Sequence, residues 1–107
     1  MIIQKDGFIH HVFFWLKKTE SKEDLQQLIE GLNKLSKASA IKDFHIGKPA
    51  ATNRDVIDTT WSVSWLLLFD NKEDQDIYQT DPIHLKFIED CSHLWSKVLV
   101  YDAVNVV

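Results

Sequence analysis

The chain has 107 residues, of which 45% are apolar and 26% charged, with a formal charge of −4 and a single cysteine. This predicts one domain spanning 1–107, and three Gly and two Pro leave little room for disordered segments. A net acidic chain with scattered lysines is a poor match for a nucleic-acid backbone, no apolar run reaches membrane-spanning length, and the lone Cys91 cannot bridge internally and points to a reducing, cytoplasmic setting.

Phe8 to Leu16 is rich in aromatic and β-branched residues and reads as a strand; the histidines His10 and His11 that interrupt it argue against a signal peptide. Alternation places His10, Val12, Phe14 and Leu16 on one face and His11, Phe13 and Trp15 on the other, so both faces require cover. Ser21-Lys-Glu-Asp24 carries a helix-start pattern, a hydroxyl able to cap an early N–H with an acid in the first turn. Leu25, Leu28, Ile29, Leu32 and Leu35 then recur at helical spacing, predicting an amphipathic helix that ends between Ser36 and Ser39. Ile41 to Ile46 reads as a second strand, stopped by Gly47 and Pro49, and Ala50 to Asp58 as an exposed connection.

Thr59 to Phe69 alternates most clearly, with Trp61, Val63, Trp65, Leu67 and Phe69 on one face, and predicts a third strand. Asp70-Asn-Lys-Glu73 opens a short helical segment through Tyr78. Asp81-Pro82 restarts the helix, because Asp caps it and Pro is tolerated in a first turn. Its apolar stripe is Phe87, Ile88, Cys91, Leu94 and Trp95, and Lys97 to Val104 closes the chain as a fourth strand. The order β-α-β-β-α-β predicts an α+β, ferredoxin-like fold with both helices on one side of the sheet. The other side is apolar too, more than a soluble monomer exposes, so a second copy related by a two-fold axis is expected to cover it.

Several stretches resemble the stress-responsive dimeric α/β-barrel (Dabb) family: His10-His-Val-Phe-Phe-Trp-Leu-Lys17, Ile46-Gly-Lys-Pro-Ala50, Tyr78-Gln-Thr-Asp-Pro-Ile-His84, Phe87, and Trp95-Ser-Lys-Val-Leu-Val-Tyr-Asp102. The resemblance runs nearly end to end and implies a homodimer whose two sheets form a dimeric α/β barrel. The family includes plant stress-tolerance proteins, bacterial proteins of unknown role and a polyketide cyclase, and the same architecture serves cofactor-free monooxygenases and haem-degrading enzymes. In the cyclase a tyrosine and a histidine share proton transfer; the matching positions here are Tyr78 and His84. Asp81 departs from the pattern, in which His often precedes the proline.

His84 precedes Phe87 and Ile88 by three and four residues, on the apolar stripe, and a partly buried imidazole suits proton transfer; the alternative is that it braces the helix start. Tyr78 either donates to a ligand carbonyl or covers the core edge. Two functions stay open: a binding or stress-protection domain in which these side chains serve ligand contact and stability, or a cofactor-free cyclase-like or monooxygenase-like enzyme in which His84 and Tyr78 are the catalytic pair. In either, His10, Phe87 and Trp95 are expected to line the ligand pocket. The expected ligand is small and apolar or aromatic. No cofactor is expected, and the histidine spacing suggests no metal site. Trp61 and Trp65 read as core or interface, and Cys91 as a buried, inert thiol.

Overall fold

The structure is a computed structural model and describes residues 4–107. Its elements are β1 (Phe8–Leu16), α1 (Lys22–Leu35), β2 (Asp43–Gly47), β3 (Val63–Phe69), α2 (Lys72–Thr80), α3 (Pro82–Cys91), a short 3-10 turn at Ser92–Leu94, and β4 (Trp95–Val104). The strands form one antiparallel sheet in the order β2-β3-β1-β4, the ferredoxin-like arrangement expected from the sequence.

The three helices start where side chains can satisfy free backbone N–H groups. Ser21 Oγ accepts from Asp24 N, Asn71 Oδ1 from Asp74 N, and Asp81 Oδ1 from Ile83 N. Asp81 itself is extended, and Pro82 has no N–H, so the chain breaks between α2 and α3 instead of continuing as one helix.

The helices cover one face of the sheet. Phe8, Val12, Phe14 and Leu16 of β1 and Val63, Trp65, Leu67 and Phe69 of β3 are buried there against Leu28, Leu32 and Leu35 of α1 and Phe87 and Cys91 of α3. Each such side chain contributes roughly 1.5–3 kcal/mol through removal from water. On the opposite face Ile9, His11, Phe13 and Trp15 are only half-buried. The helices also stop short of β4: its helix-side residues Val98 and Val100 remain 44% and 43% exposed. Among the described residues no helix is long and apolar enough to cross a membrane.

The structure corrects three boundaries. β3 begins at Val63, not Thr59, because Asp58 Oδ1 accepts from both the backbone N and the Oγ1 of Thr60, which turns the chain away from the ladder. Trp61 consequently leaves the Val63–Trp65 face and packs edge-on to Phe13 on the opposite one, ring centroids 5.2 Å apart. Strand β2 is shifted to Asp43–Gly47. The last apolar stripe also crosses three elements: α3 ends at Cys91, Leu94 lies in the 3-10 turn, and Trp95 already belongs to β4.

Candidate functional site

Between the helix-covered face of the sheet and the α2–α3 break lies a cavity of about 190 Å³. All five residues expected from the sequence, Tyr78, His84, His10, Phe87 and Trp95, line it. Trp65, assigned to the core by its strand pattern, is 1% exposed and also forms a wall of the cavity. Val98, Val100 and Ile88, all part-exposed, stand at its open side.

His84 occupies the first turn of α3, just after the break. A helix end leaves its last carbonyls without internal donors, and the Gln79 carbonyl of α2 takes a hydrogen bond from His84 Nδ1 at 3.1 Å. A carbonyl can only accept, so Nδ1 carries the proton and the neutral ring presents the lone pair of Nε2. Burial lowers the pKa of His84, reinforced by His10 and opposed by the Gln79 hydrogen bond and by Asp81. The ring is therefore a neutral base at pH 7.

Tyr78, 1% exposed, lies beside it with ring centroids 4.7 Å apart. Its hydroxyl oxygen accepts from Trp65 Nε1 at 3.2 Å, which leaves the phenolic proton available to an acceptor in the cavity. Burial, aided by Asp81 and opposed by the Trp65 hydrogen bond, pushes the Tyr78 pKa up to about 12, so the group stays a donor across the neutral range.

His10 completes the polar set, its ring centroid 6.1 Å from that of Tyr78. It faces Asp102 directly across the β1–β4 ladder, and His10 Nδ1 lies 2.6 Å from Asp102 Oδ1. A carboxylate accepts, so here too Nδ1 carries the proton, and Nε2 of the neutral ring is left with an accepting lone pair. Among the described residues no fully buried side-chain nitrogen or oxygen lacks a partner. Phe87 and Trp95 stack at 5.8 Å and close the apolar side, with Phe14 4.8 Å from Trp95.

Two residues of this arrangement were not anticipated from the sequence. Asp102 is 92 positions from His10 and meets it only through strand register. Gln79 acts through its backbone, which carries no side-chain signal. Chemically, the site combines a base, a hydrogen-bond donor and a second anchored imidazole in an aromatic enclosure. That set can take a proton from a small molecule and stabilise charge developing on its oxygen without a metal or cofactor.

Residues 8–105 match the model of the stress responsive A/B barrel domain. No curated protein matches the chain in sequence. Among solved structures, a Dabb family protein with a ferredoxin-like fold from Mesorhizobium loti is 22% identical, with a TM-score of 0.76 over 94% of this chain and 98% of that one. A dimeric ferredoxin-like protein of unknown function from Thermobifida fusca is 16% identical, with a TM-score of 0.77 over 98% and 96%. The hydroxynitrile lyase from Passiflora edulis is 20% identical, with a TM-score of 0.78 over 97% and 98%. At these identities the likeness establishes the fold.

Proposed function

The chain belongs to the stress-responsive A/B barrel (Dabb) family, and from that membership we propose that it is a cytoplasmic homodimer in which each subunit carries a cofactor-free acid–base site for a small, mostly apolar or aromatic molecule bearing one hydroxyl or carbonyl. The observation that carries this reading is the pairing, in one cavity, of a neutral imidazole whose Nδ1 is committed to Gln79 with a phenol whose proton is uncommitted. His84 Nε2 takes the proton and Tyr78 holds the substrate oxygen. His10, anchored by Asp102, presents Nε2 as a further polar contact, and Phe87 and Trp95 enclose the apolar body of the ligand. Such a pair suits cyclase-like or lyase-like steps, in which a bond to a carbonyl carbon is made or broken. The similar fold of a hydroxynitrile lyase supports this class. On a hydroxynitrile, transfer of the hydroxyl proton to His84 Nε2 would let the carbon–cyanide bond break as the carbonyl forms, and cyanide would leave with that proton as hydrogen cyanide.

Two small probes test this reading. Cleavage of mandelonitrile to benzaldehyde is followed by absorbance, and deuterium exchange next to the carbonyl of phenylacetone by NMR. We expect one or both with the wild type, a loss of about 10²–10⁴-fold in His84→Ala, and a loss of about 10–100-fold in Tyr78→Phe, the cost of one hydrogen bond to a charged oxygen. Equal rates, zero included, in the wild type and the double variant would overturn it. The dimer rests on the apolar open face of the sheet and on dimeric neighbours such as the Thermobifida fusca protein. A single-chain mass by light scattering at micromolar concentration would refute that part.

A further inference from the structure

The sheet ends in two strands that are paired on one side only. In the order β2-β3-β1-β4, β2 and β4 are the edges, and among the described residues no strand lies outside either. Strand β4 leaves the longer edge free: ten residues, Trp95–Val104, with Val98, Val100, Tyr101 and Val104 among its exposed side chains. A long apolar edge of this kind is a template for another strand, and closure into a barrel removes it.

This edge borders the acid–base cavity. Val98 and Val100 stand opposite Phe14 and Val12 of β1, on the helix side, and with Ile88 they form the open side of the cavity. Their side chains are short, so they frame the opening without filling it. The other edge carries a counterpart. Phe44 of β2 pairs with Leu67 and so also projects on the helix side, its ring 5.6 Å from that of Trp65, yet it is 40% exposed. A projecting ring at one edge matches a shallow apolar notch at the other. Within one chain they are separated by two strands, about 14 Å of sheet, and do not meet.

Two copies bring them together. When the open faces of two sheets meet about a two-fold axis that runs along the strands, β4 of each subunit falls beside β2 of the other. Strand β4 runs antiparallel to β1, and β2 runs with β1, so the new pair is antiparallel like every pair already in the sheet. Both edges of both sheets are then used in two identical seams. We propose that each acid–base cavity is completed by the other subunit: β4 pairs with β2 of the partner, and Phe44 of the partner subunit closes the open side over Val98 and Val100. This rests on the dimer and the cavity proposed above and deepens that reading, because a closed space of about 190 Å³ holds a ring-sized molecule away from water beside His84 and Tyr78.

A disulfide placed across the seam tests the geometry. Opposed residues of an antiparallel pair have Cα atoms about 4.5–5.5 Å apart, within reach of a disulfide, whereas the two edges of one sheet lie beyond the limit of about 7 Å. Phe44→Cys is mixed with Val100→Cys and, to cover a register step of two, with Val98→Cys. Subunits are exchanged and mildly oxidised, with Cys91 buried and out of reach. We expect a covalent dimer on a non-reducing gel in one of the mixtures and in no variant kept alone. Linking in Val100→Cys or Val98→Cys alone would set β4 against β4, and no linking in either mixture would leave the seam without support. Either result overturns the proposal.

A second mixture asks whether the closure serves the site. His84→Ala and Phe44→Ala are each assayed on whichever of mandelonitrile or phenylacetone the wild type turns over, and Phe44→Ala should be about tenfold slower. In a mixed dimer the subunit that keeps His84 is closed by the one that keeps Phe44. The mixture should recover about a quarter of the wild-type rate, since half of randomly assorted dimers are mixed and each holds one intact site. A rate no higher than the mean of the two parents would show that Phe44 acts within its own chain and would overturn the closure. A covalent seam with no turnover in any form, the wild type included, keeps the partner over the cavity and counts against the acid–base reading.

Discussion

His10 and His11 are adjacent in sequence and end in opposite chemical settings, as do the two faces of the sheet that they occupy. On the helix side His10 is held by Asp102 and shares a cavity with Tyr78 and His84. On the open side His11 lies against the Phe13 ring at 4.3 Å, and the cross-strand row through Leu66 brings His45 onto the same face. Burial lowers the pKa of His11, reinforced by His45 and then His10. Both faces are apolar by composition. They differ in that the helix side supplies fixed polar partners, a carboxylate and an orphan helix carbonyl, which set the position of protons, whereas the open side presents rings and aliphatics to be packed against. The proposed proton-transfer site lies on the first face, and the second is the one proposed to meet another copy.

The largest effect that would break this contrast is on stability. Phe14, buried 6.2 Å from Phe87 and 4.8 Å from Trp95, is predicted to cost about 3–5 kcal/mol when replaced by Ala, through lost transfer energy and the cavity left behind. Phe13, its neighbour on the half-buried open face, should cost about 1–1.5 kcal/mol on the same replacement when urea unfolding is measured at dilutions that separate subunits. Equal costs at such dilution would mean that a single chain already covers both faces.

That contrast was legible in part from the sequence. Two-residue alternation in 8–16 and 63–69 and helical spacing from Leu25 to Leu35 are local signals, and they gave the element order and the need to cover both faces. Tyr78 and His84 were paired through the family resemblance, with His84 also marked by its place on the apolar stripe, and the structure puts both at one cavity. The errors arose where a pattern continued past the backbone that should carry it. Alternation ran back to Thr59 although the Asp58–Thr60 hydrogen bonds had already turned the chain. The helical stripe ran on through Leu94 to Trp95 although α3 had ended at Cys91. Asp102 was not legible as a partner of His10, because its role depends on the β1–β4 register, which the sequence does not display.

A smaller effect sharpens the comparison at the two histidines themselves. Asp102→Ala removes the anchor of His10, and because the carboxylate is about half exposed its hydrogen bond contributes toward the low end for a charged pair, so the mandelonitrile or phenylacetone rate should fall by about tenfold. The His10 Nδ1–H resonance should move with it in NMR spectra. His11→Gln, on the opposite face, should leave both unchanged. A drop of similar size in His11→Gln would show that the two faces are coupled through β1 and that the polar and packing roles are not separable.

The smallest effect is pH dependence, and it distinguishes the faces by concentration. His84 and His11 both have folded-state pKa values below the ordinary 6.5. A histidine of this kind binds fewer protons folded than unfolded. Its stability contribution is complete above about pH 6.5 and is lost as pH falls through the window between the unfolded and the lowered folded value. Unfolding free energy should therefore decline on acidification, and His84→Gln and His11→Gln should each flatten the decline. Catalysis should follow the same direction, with turnover rising as His84 loses its proton below pH 6.5. The His84 contribution belongs to a cavity within one chain and should be the same at all protein concentrations. The His11 contribution should grow with concentration, because a second copy seated on the open face removes more water from that imidazole and opposes its charge more strongly. If the flattening caused by His11→Gln is unchanged across a hundredfold dilution that spans dimer dissociation, the open face is not where the subunits meet.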